Sequence, residues 1–315
     1  RELPWRVSKK SPKKLYYRLL SEFMLQQTQV KTVLPYFKNF LLHFPTLESL
    51  SKTNEKKVLK LWEGLGYYRR ARNLLATSKI IVKKYNSKLP NKVSDIKRLP
   101  GIGDYTANAL IAFIYDQPTV AIDGNVKRVF SRILNKNETK IDFTKLIEGN
   151  RQSLFKTKRY SDIVESLMEF GALICKPKEP ACFKCNIKNK CKYFKSDKKF
   201  KQIRKIRPLE RSYDILCYID KKKNKIALSK NHNLGFLDNF YLPTIRETNT
   251  KNRIQSWNFH SNFKDFISNK KLNINLYYKY SSKLPLQSQW FSLKTNNEFI
   301  PSFTKKIFKQ FLDLN

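Results

Sequence analysis

Four of the five cysteines in this chain, Cys175, Cys182, Cys185 and Cys191, fall inside one window with gaps of six, two and five residues, while Cys217 stands alone beyond them. Four thiols on one loop constrain the fold more than any other feature, because whatever they converge on fixes the chain around it. A structural zinc site usually draws its thiolates as two tight pairs, with two to four residues between partners. Only Cys182 and Cys185 make such a pair. Outer thiols that approach singly suit a 4Fe-4S cubane, in which each thiolate takes a separate corner. Disulfides are the third reading. The intervening lysines, the odd total and the lack of an apolar secretory segment at the start of the chain speak against them. Spacing alone leaves all three open.

A chain of 315 residues can hold two domains, each with its own core. A hydrophobic content of 41% supports globular folding, and no uninterrupted apolar run is long enough to span a bilayer, so a soluble protein with no membrane partner is expected. The 64 Lys and Arg stand against 25 Asp and Glu, a formal net charge of +39, which makes a polyanion the expected partner. The chain is also rich in Lys, Asn and Ile, with only 8 Gly and 2 Met, a bias that AT-rich coding produces without selection for binding. Charge therefore supports nucleic-acid binding without carrying it. The same bias makes the glycines informative: Gly64, Gly66, Gly101, Gly103 and Gly124, five of the 8, sit in three short segments. Glycine in such a chain marks positive φ or close approach to another molecule.

Residues 14 to 195 read mainly as helices. Leu20, Phe23, Met24, Gln27, Val30 and Leu34 follow helical spacing, as do Leu110, Phe113 and Ile114. Pro35, Pro45, Pro90, Pro100, Pro118 and Pro177 are expected to punctuate the helices. Residues 192–207 carry eight basic side chains and one acid without apolar periodicity, which reads as a solvated linker able to lie on phosphates. Beyond it the pattern changes to strand-like runs at 213–219, 226–229, 272–280 and 290–293, closed by an amphipathic helix at 303–314. The expected boundaries are a helical catalytic module over 1–194, a basic linker over 195–210 and an α+β domain over 211–315.

Leu99-Pro100-Gly101-Ile102-Gly103 lies between two helical stretches. Its glycines let the backbone turn tightly and present N–H groups at a helix start near Asp104, where a phosphate oxygen can bind. A plain helix-turn-helix corner is the alternative. Twenty residues after Gly103, Asp123 ends an apolar run and precedes a helix. It reads as an N-cap, a role compatible with chemistry because the cap N–H groups orient a carboxylate and keep it ionised.

The glycine hairpin, the aspartate about twenty residues on and the six-two-five cysteine loop together resemble the helix-hairpin-helix base-excision glycosylases that carry an iron–sulfur cluster. Within that superfamily four segments resemble the MutY-type adenine DNA glycosylases: Ser21-Glu22-Phe23-Met24-Leu25-Gln26-Gln27-Thr28-Gln29-Val30, Trp62-Glu63-Gly64-Leu65-Gly66-Tyr67-Tyr68, Asp123-Gly124-Asn125-Val126-Lys127-Arg128-Val129 and Met168-Glu169-Phe170-Gly171-Ala172-Leu173-Ile174-Cys175. The likeness is specific over residues 4–191 and weaker to the end. It implies a mainly α glycosylase fold with a helix-hairpin-helix and an iron–sulfur loop, then a MutT-like (Nudix-like) α+β domain that reads 8-oxoguanine.

The resemblance makes Glu22 the general acid that protonates the leaving adenine at N7, since the adenine anion departs poorly at neutral pH; burial among Leu20, Phe23 and Leu25 would raise its pKa. A surface ion pair with Arg18, four residues earlier, is the bland alternative. Asp123 stabilises the oxocarbenium-like sugar, and Asn125 orients that carboxylate or the water. Bifunctional relatives keep a lysine two residues after the second hairpin glycine, where this chain has Tyr105, so a monofunctional enzyme is expected. The resemblance further gives Cys175, Cys182, Cys185 and Cys191 a 4Fe-4S cluster. It puts Gln27 and Tyr67 in wedge roles, Thr28 and Leu65 against the opposite base, Gly101 and Gly103 at the DNA backbone, and Arg6 in the adenine pocket. The family's Phe-Ser-His recognition loop aligns with Phe263-Lys264-Asp265, where serine and histidine are lost but Lys264 can grip a phosphate. There is no glutamate-rich pyrophosphohydrolase helix, so nucleotide hydrolysis is not expected. The implied partner is duplex DNA bearing A:8-oxoguanine or A:G mispairs, bound by a monomer in the bacterial cytoplasm, at the nucleoid. The rivals are a bifunctional thymine-glycol or mismatch glycosylase and a cluster-stabilised DNA-binding module without chemistry.

Overall fold

The apolar spacing of residues 14–43 builds two helices where one continuous run reads in the sequence. The computed structural model describes residues 1–197, 209–230, 234–237, 239–248, 256–267, 270–294 and 299–312, and in it α1 (Lys14–Leu25) is separated from α2 (Val30–His43). The break falls at Gln27, whose φ of 57° is left-handed and cannot continue a helix. The guanidinium of Arg70 takes over the carbonyls that α1 leaves open, donating from Nη1 to Phe23 O at 3.2 Å and Met24 O at 2.8 Å. Pro35 lies inside α2, where it forgoes one intrahelical N–H; the expectation that it punctuates helices is corrected.

The remaining helices of the first two thirds run from four to 17 residues, and several carry a side-chain cap. They are α3 (Leu47–Ser51), α4 (Glu55–Trp62), α5 (Arg69–Tyr85), α6 (Val93–Ile96), α7 (Asp104–Tyr115), α8 (Gly124–Leu134), α9 (Phe143–Gly149), α10 (Arg151–Leu154), α11 (Tyr160–Glu169) and α12 (Lys192–Lys195). Thr46 and Ser49 form a reciprocal capping box on α3, and Asn54, Asp123 and Asp142 cap α4, α8 and α9 through their side chains. After α11 a π turn (Phe170–Ile174) delivers the chain to Cys175. The fully buried Leu19, Leu20, Phe23 and Met24 of α1 and Phe37 and Phe40 of α2 belong to the helical core.

The last third of the chain is a sheet. It comprises β1 (Leu209–Asp220), β2 (Lys225–Ser229), β3 (Thr244–Glu247), β4 (Asn258–Ile267), β5 (Lys270–Tyr280) and β6 (Ser288–Ser292), with α13 (Ser302–Leu312). The order is β4-β5-β1-β2-β6, with β3 alongside β1; β1 and β5 run parallel and the other pairs antiparallel. Ile215, Cys217, Leu272, Ile274 and Leu276 form one apolar cluster with Phe303, Ile307, Phe308 and Phe311 of α13. The lone cysteine is thus a core residue. Four strands and the closing helix fall where the sequence indicates, but β3 and β4 do not follow from it. Phe263-Lys264-Asp265, expected as a loop, lies within β4, with Lys264 opposite Asn273 of β5. Most of the expected linker, 198–208, is outside the described residues.

By internal contacts the chain forms two units: Arg1–Thr53 with Arg69–Lys205, and Asn54–Tyr68 with Ile206–Asn315. Within the second, Tyr68 packs its ring 5.1 Å from that of Phe240 and 5.3 Å from that of Phe299, and Glu63 pairs with Lys305 at 2.7 Å. No helix among the described residues is long and apolar enough to cross a membrane.

Candidate active site

Three elements of the first unit bring Glu22, Tyr105 and Asp123 together. Glu22 sits in α1 with 5% of its surface exposed, between the fully buried Leu19, Leu20, Phe23 and Met24. Burial disfavours its charged form and pushes its pKa from 4.5 up to about 7, against the opposing pull of the Arg18 charge and a hydrogen bond from Tyr105. Tyr105, in the first turn of α7, is itself raised well above the usual phenol value by burial and by the charges of Glu22 and Asp123. It stays a neutral donor at any working pH. Arg18 is not a surface partner of Glu22: it is 6% exposed, pairs with Glu165 of α11, and its guanidinium carbon lies 4.5 Å from the ring centre of Phe113.

Asp123 is the N-cap of α8. One carboxylate oxygen accepts from Val126 N at 2.7 Å and the other from Asn125 Nδ2 at 2.8 Å. Asn125 is held in turn: its Oδ1 accepts from Arg128 Nη2 at 2.9 Å, and the same guanidinium donates to Gly171 O at 2.6 Å and Cys175 O at 2.9 Å. A hydrogen-bonded path thus runs from the aspartate to the start of the cysteine loop. Gly171 makes this fit possible, because a Cβ there would stand 2.7 Å from Asn125 Cβ.

The cysteine loop is bound by the next turn of α8. Arg132 Nη1 lies 3.4 Å from Cys175 Sγ and donates to Lys176 O at 2.6 Å, and Cys191 Sγ lies 3.4 Å from Arg132 O. All five cysteines are free thiols, which removes the disulfide reading. Cys175, Cys182, Cys185 and Cys191 line one cavity with the apolar Val129, Ile133, Phe170, Ile174 and Ile187. Burial and then its three neighbouring sulfurs raise the Cys182 thiol. Among the described residues no three Cys, His, Asp or Glu side chains converge on a single-ion site. Four thiols lining one largely apolar cavity, with the Arg132 guanidinium beside Cys175, are a donor set that could hold a metal cluster.

The candidate DNA contacts divide between the units. In the first, Gln27 is exposed and Thr28 half-buried in the α1–α2 turn, and Gln26 Nε2 donates to Gly101 O at 3.3 Å, tying that turn to the hairpin. Gly101 has a φ of 76° and Gly103 precedes α7 as its N-cap, both exposed. Arg6 joins an ion network, pairing in charge with Glu165 Oε2 at 3.0 Å and donating from Nη2 to Glu169 Oε1 at 3.0 Å, with Arg1 also on Glu169. In the second unit Tyr67 is 38% exposed with a φ of 49°, Leu65 is buried at 6%, and Lys264 is exposed on β4. Sequence reasoning missed Glu165, Arg128 and Arg132 as site residues. Glu165 and Glu169 stand one helical turn apart, a spacing that could have marked them as a charged face.

The hairpin before α7, the buried glutamate and the capping aspartate all lie in the stretch, residues 20–152, matched by a family model described as HhH-GPD superfamily base excision DNA repair protein. A thermostable thymine-DNA glycosylase superposes with a TM-score of 0.55 at 26% identity, over 62% of this chain and 89% of that one. A DNA-trapped endonuclease III shares the fold, with a TM-score of 0.51 at 21% identity over 61% of this chain and 90% of its own. The adenine DNA glycosylase of Buchnera aphidicola subsp. Baizongia pistaciae is 35% identical over 92% of this chain and 86% of its own length. The human protein of the same name is 34% identical over 61% of this chain and 36% of its own. The chain belongs to the adenine DNA glycosylase family.

Proposed function

We propose that this protein is a monofunctional glycosylase that removes adenine mispaired with 8-oxoguanine or guanine from duplex DNA, by acid-assisted hydrolysis of the N-glycosidic bond. The observation that carries the reading is the buried Glu22, whose burial raises its pKa to about 7, beside an Asp123 fixed by two hydrogen bonds. Two carboxyl groups whose environments differ this way divide the work of glycoside cleavage. Glu22 delivers its proton to N7 of an everted adenine, with Tyr105 holding the carboxyl through its neutral hydroxyl. Asp123 faces the positive charge that grows on C1′ and the ring oxygen, its orientation fixed by Val126 N–H and Asn125. With a phenol at position 105 instead of an amine, no Schiff base forms there and water completes the reaction.

Gln27 and Tyr67, two non-glycine residues with positive φ, suit wedge roles, since such backbone is retained where surrounding structure imposes it. Thr28 and Leu65 are assigned to the opposite base, Gly101 and Gly103 to a DNA phosphate, and the β-rich domain to recognition of 8-oxoguanine, with Lys264 of β4 on the backbone. Cys175, Cys182, Cys185 and Cys191 would hold a 4Fe-4S cluster, which when bound cross-ties the loop that carries Lys184, Lys188 and Lys190.

Adenine release from duplexes with A opposite 8-oxoguanine, with strand scission scored before and after alkali, tests the reading. Wild type is expected to give only alkali-labile product. Glu22→Gln is expected to abolish release; retention of more than about a tenth of the rate, a loss under ~1.4 kcal/mol, would remove Glu22 as the acid.

A further inference from the structure

Arg18 poses a physical problem for the site. A guanidinium one helical turn from an acid that must keep its proton pulls that acid towards ionisation. It is 6% exposed, so solvent does little to screen it. The groups facing Glu22 are few: Arg18 on its own helix, Tyr105 from α7, Asp123 at the cap of α8 and Glu165 from α11. From α5, Arg70 is directed to the carbonyls of Phe23 and Met24, and α2 buries the apolar Val33, Phe37 and Phe40. Of these groups, Glu165 is the one in direct contact with the Arg18 guanidinium, and its second oxygen is held by Arg6 at 3.0 Å.

We propose that Glu165 is a positioning residue that cancels the buried charge of Arg18, so that the Arg18–Glu165 pair sets the pH at which Glu22 loses its proton and adenine release fails. The inference rests on Glu22 being the proton donor. It goes beyond that reading in assigning the working pH range to a pair anchored on α1 and α11. Arg18 is a buried cation over the Phe113 ring, and a charge held that far from water calls for an opposite charge against it, which the half-buried Glu165 supplies. Glu169 keeps Arg1 and Arg6 in place when Glu165 is neutralised, so the N-terminal segment stays fastened.

Single-turnover adenine release by the full chain, followed from about pH 5 to 9, decides the matter. Glu165→Gln leaves Arg18 uncompensated, and the falling limb of the profile is expected to move about one pH unit lower. Arg18→Leu removes the cation and is expected to move the limb to higher pH. The double variant is expected to return close to the wild-type midpoint. An unchanged midpoint in Glu165→Gln, with altered amplitude alone, would reduce the pair to a structural role and overturn the proposal. Should Arg18→Leu fail to fold, the near-isosteric Glu165→Gln decides by its direction. A wild type with no falling limb, or an active Glu22→Gln, would overturn the proton-donor reading itself.

Discussion

At the scale of single residues the site works against the stability of its host. The Glu22 pKa rises from 4.5 in the unfolded chain to about 7 in the folded one, so between those values the native state binds the extra proton. Folding stability is therefore full below about pH 4.5 and falls as pH rises through about 7, by roughly 3 kcal/mol in total. Glu22→Gln is neutral at every pH. Its melting temperature is expected to match wild type near pH 4.5 and to exceed it increasingly up to about pH 8; a gap that does not widen with pH would contradict the buried, protonated glutamate. Arg128→Leu leaves Asn125 Oδ1 and the carbonyls of Gly171 and Cys175 without that donor. It is expected to lower the melting temperature and slow single-turnover release on the order of tenfold, because Asp123 keeps its cap bond but loses a fixed Asn125. Glu22, Asp123 and the four cysteines were legible because their signals are local: a motif, a cap, a spacing. The Arg18–Glu165 pair was not, since its members lie 147 residues apart and no periodicity links them.

Among the elements, the hairpin separates two glycines that look alike in sequence. Gly101 has a φ of 76°, and a Cβ there would lie 2.5 Å from Asn73 Nδ2; Gly103 has a φ of −96° and open space around it. Gly101→Ala is expected to cost about 1–3 kcal/mol in stability and to weaken duplex binding, whereas Gly103→Ala should leave chemical denaturation unchanged. Equal effects at the two positions would contradict this hairpin geometry. Helices were readable from apolar spacing, but the α1–α2 break was not, because Gln27 at left-handed φ carries no glycine to announce it. β4 was missed because its outward faces hold Phe259 and Phe266, which erase the alternation a reader relies on. Lys264 lies on that strand as an exposed side chain. Lys264→Ala is expected to weaken binding to all duplexes alike and to reduce the salt slope by about one; a loss confined to 8-oxoguanine duplexes would mean base contact in place of phosphate contact.

For the molecule as a whole, the division of the chain matters more than the boundary that composition suggests. Residues 54–68 associate with residues 206–315 through Tyr68, Phe240, Phe299 and the Glu63–Lys305 pair. Removing residues from 206 onward is therefore expected to lower the melting temperature while preserving base release, since Glu22, Tyr105 and Asp123 all lie in the other unit. A truncated protein with no release, yet with a cooperative thermal transition, would contradict that separation. The discontinuity also has a consequence in time. The segment that carries Tyr67 leaves the ribosome on the order of ten seconds before the aromatic partners of Tyr68 are synthesised. Until then Tyr68 stands on the nascent chain without Phe240 and Phe299, so chaperone binding to this stretch is expected to fall once residues 240–299 have been made.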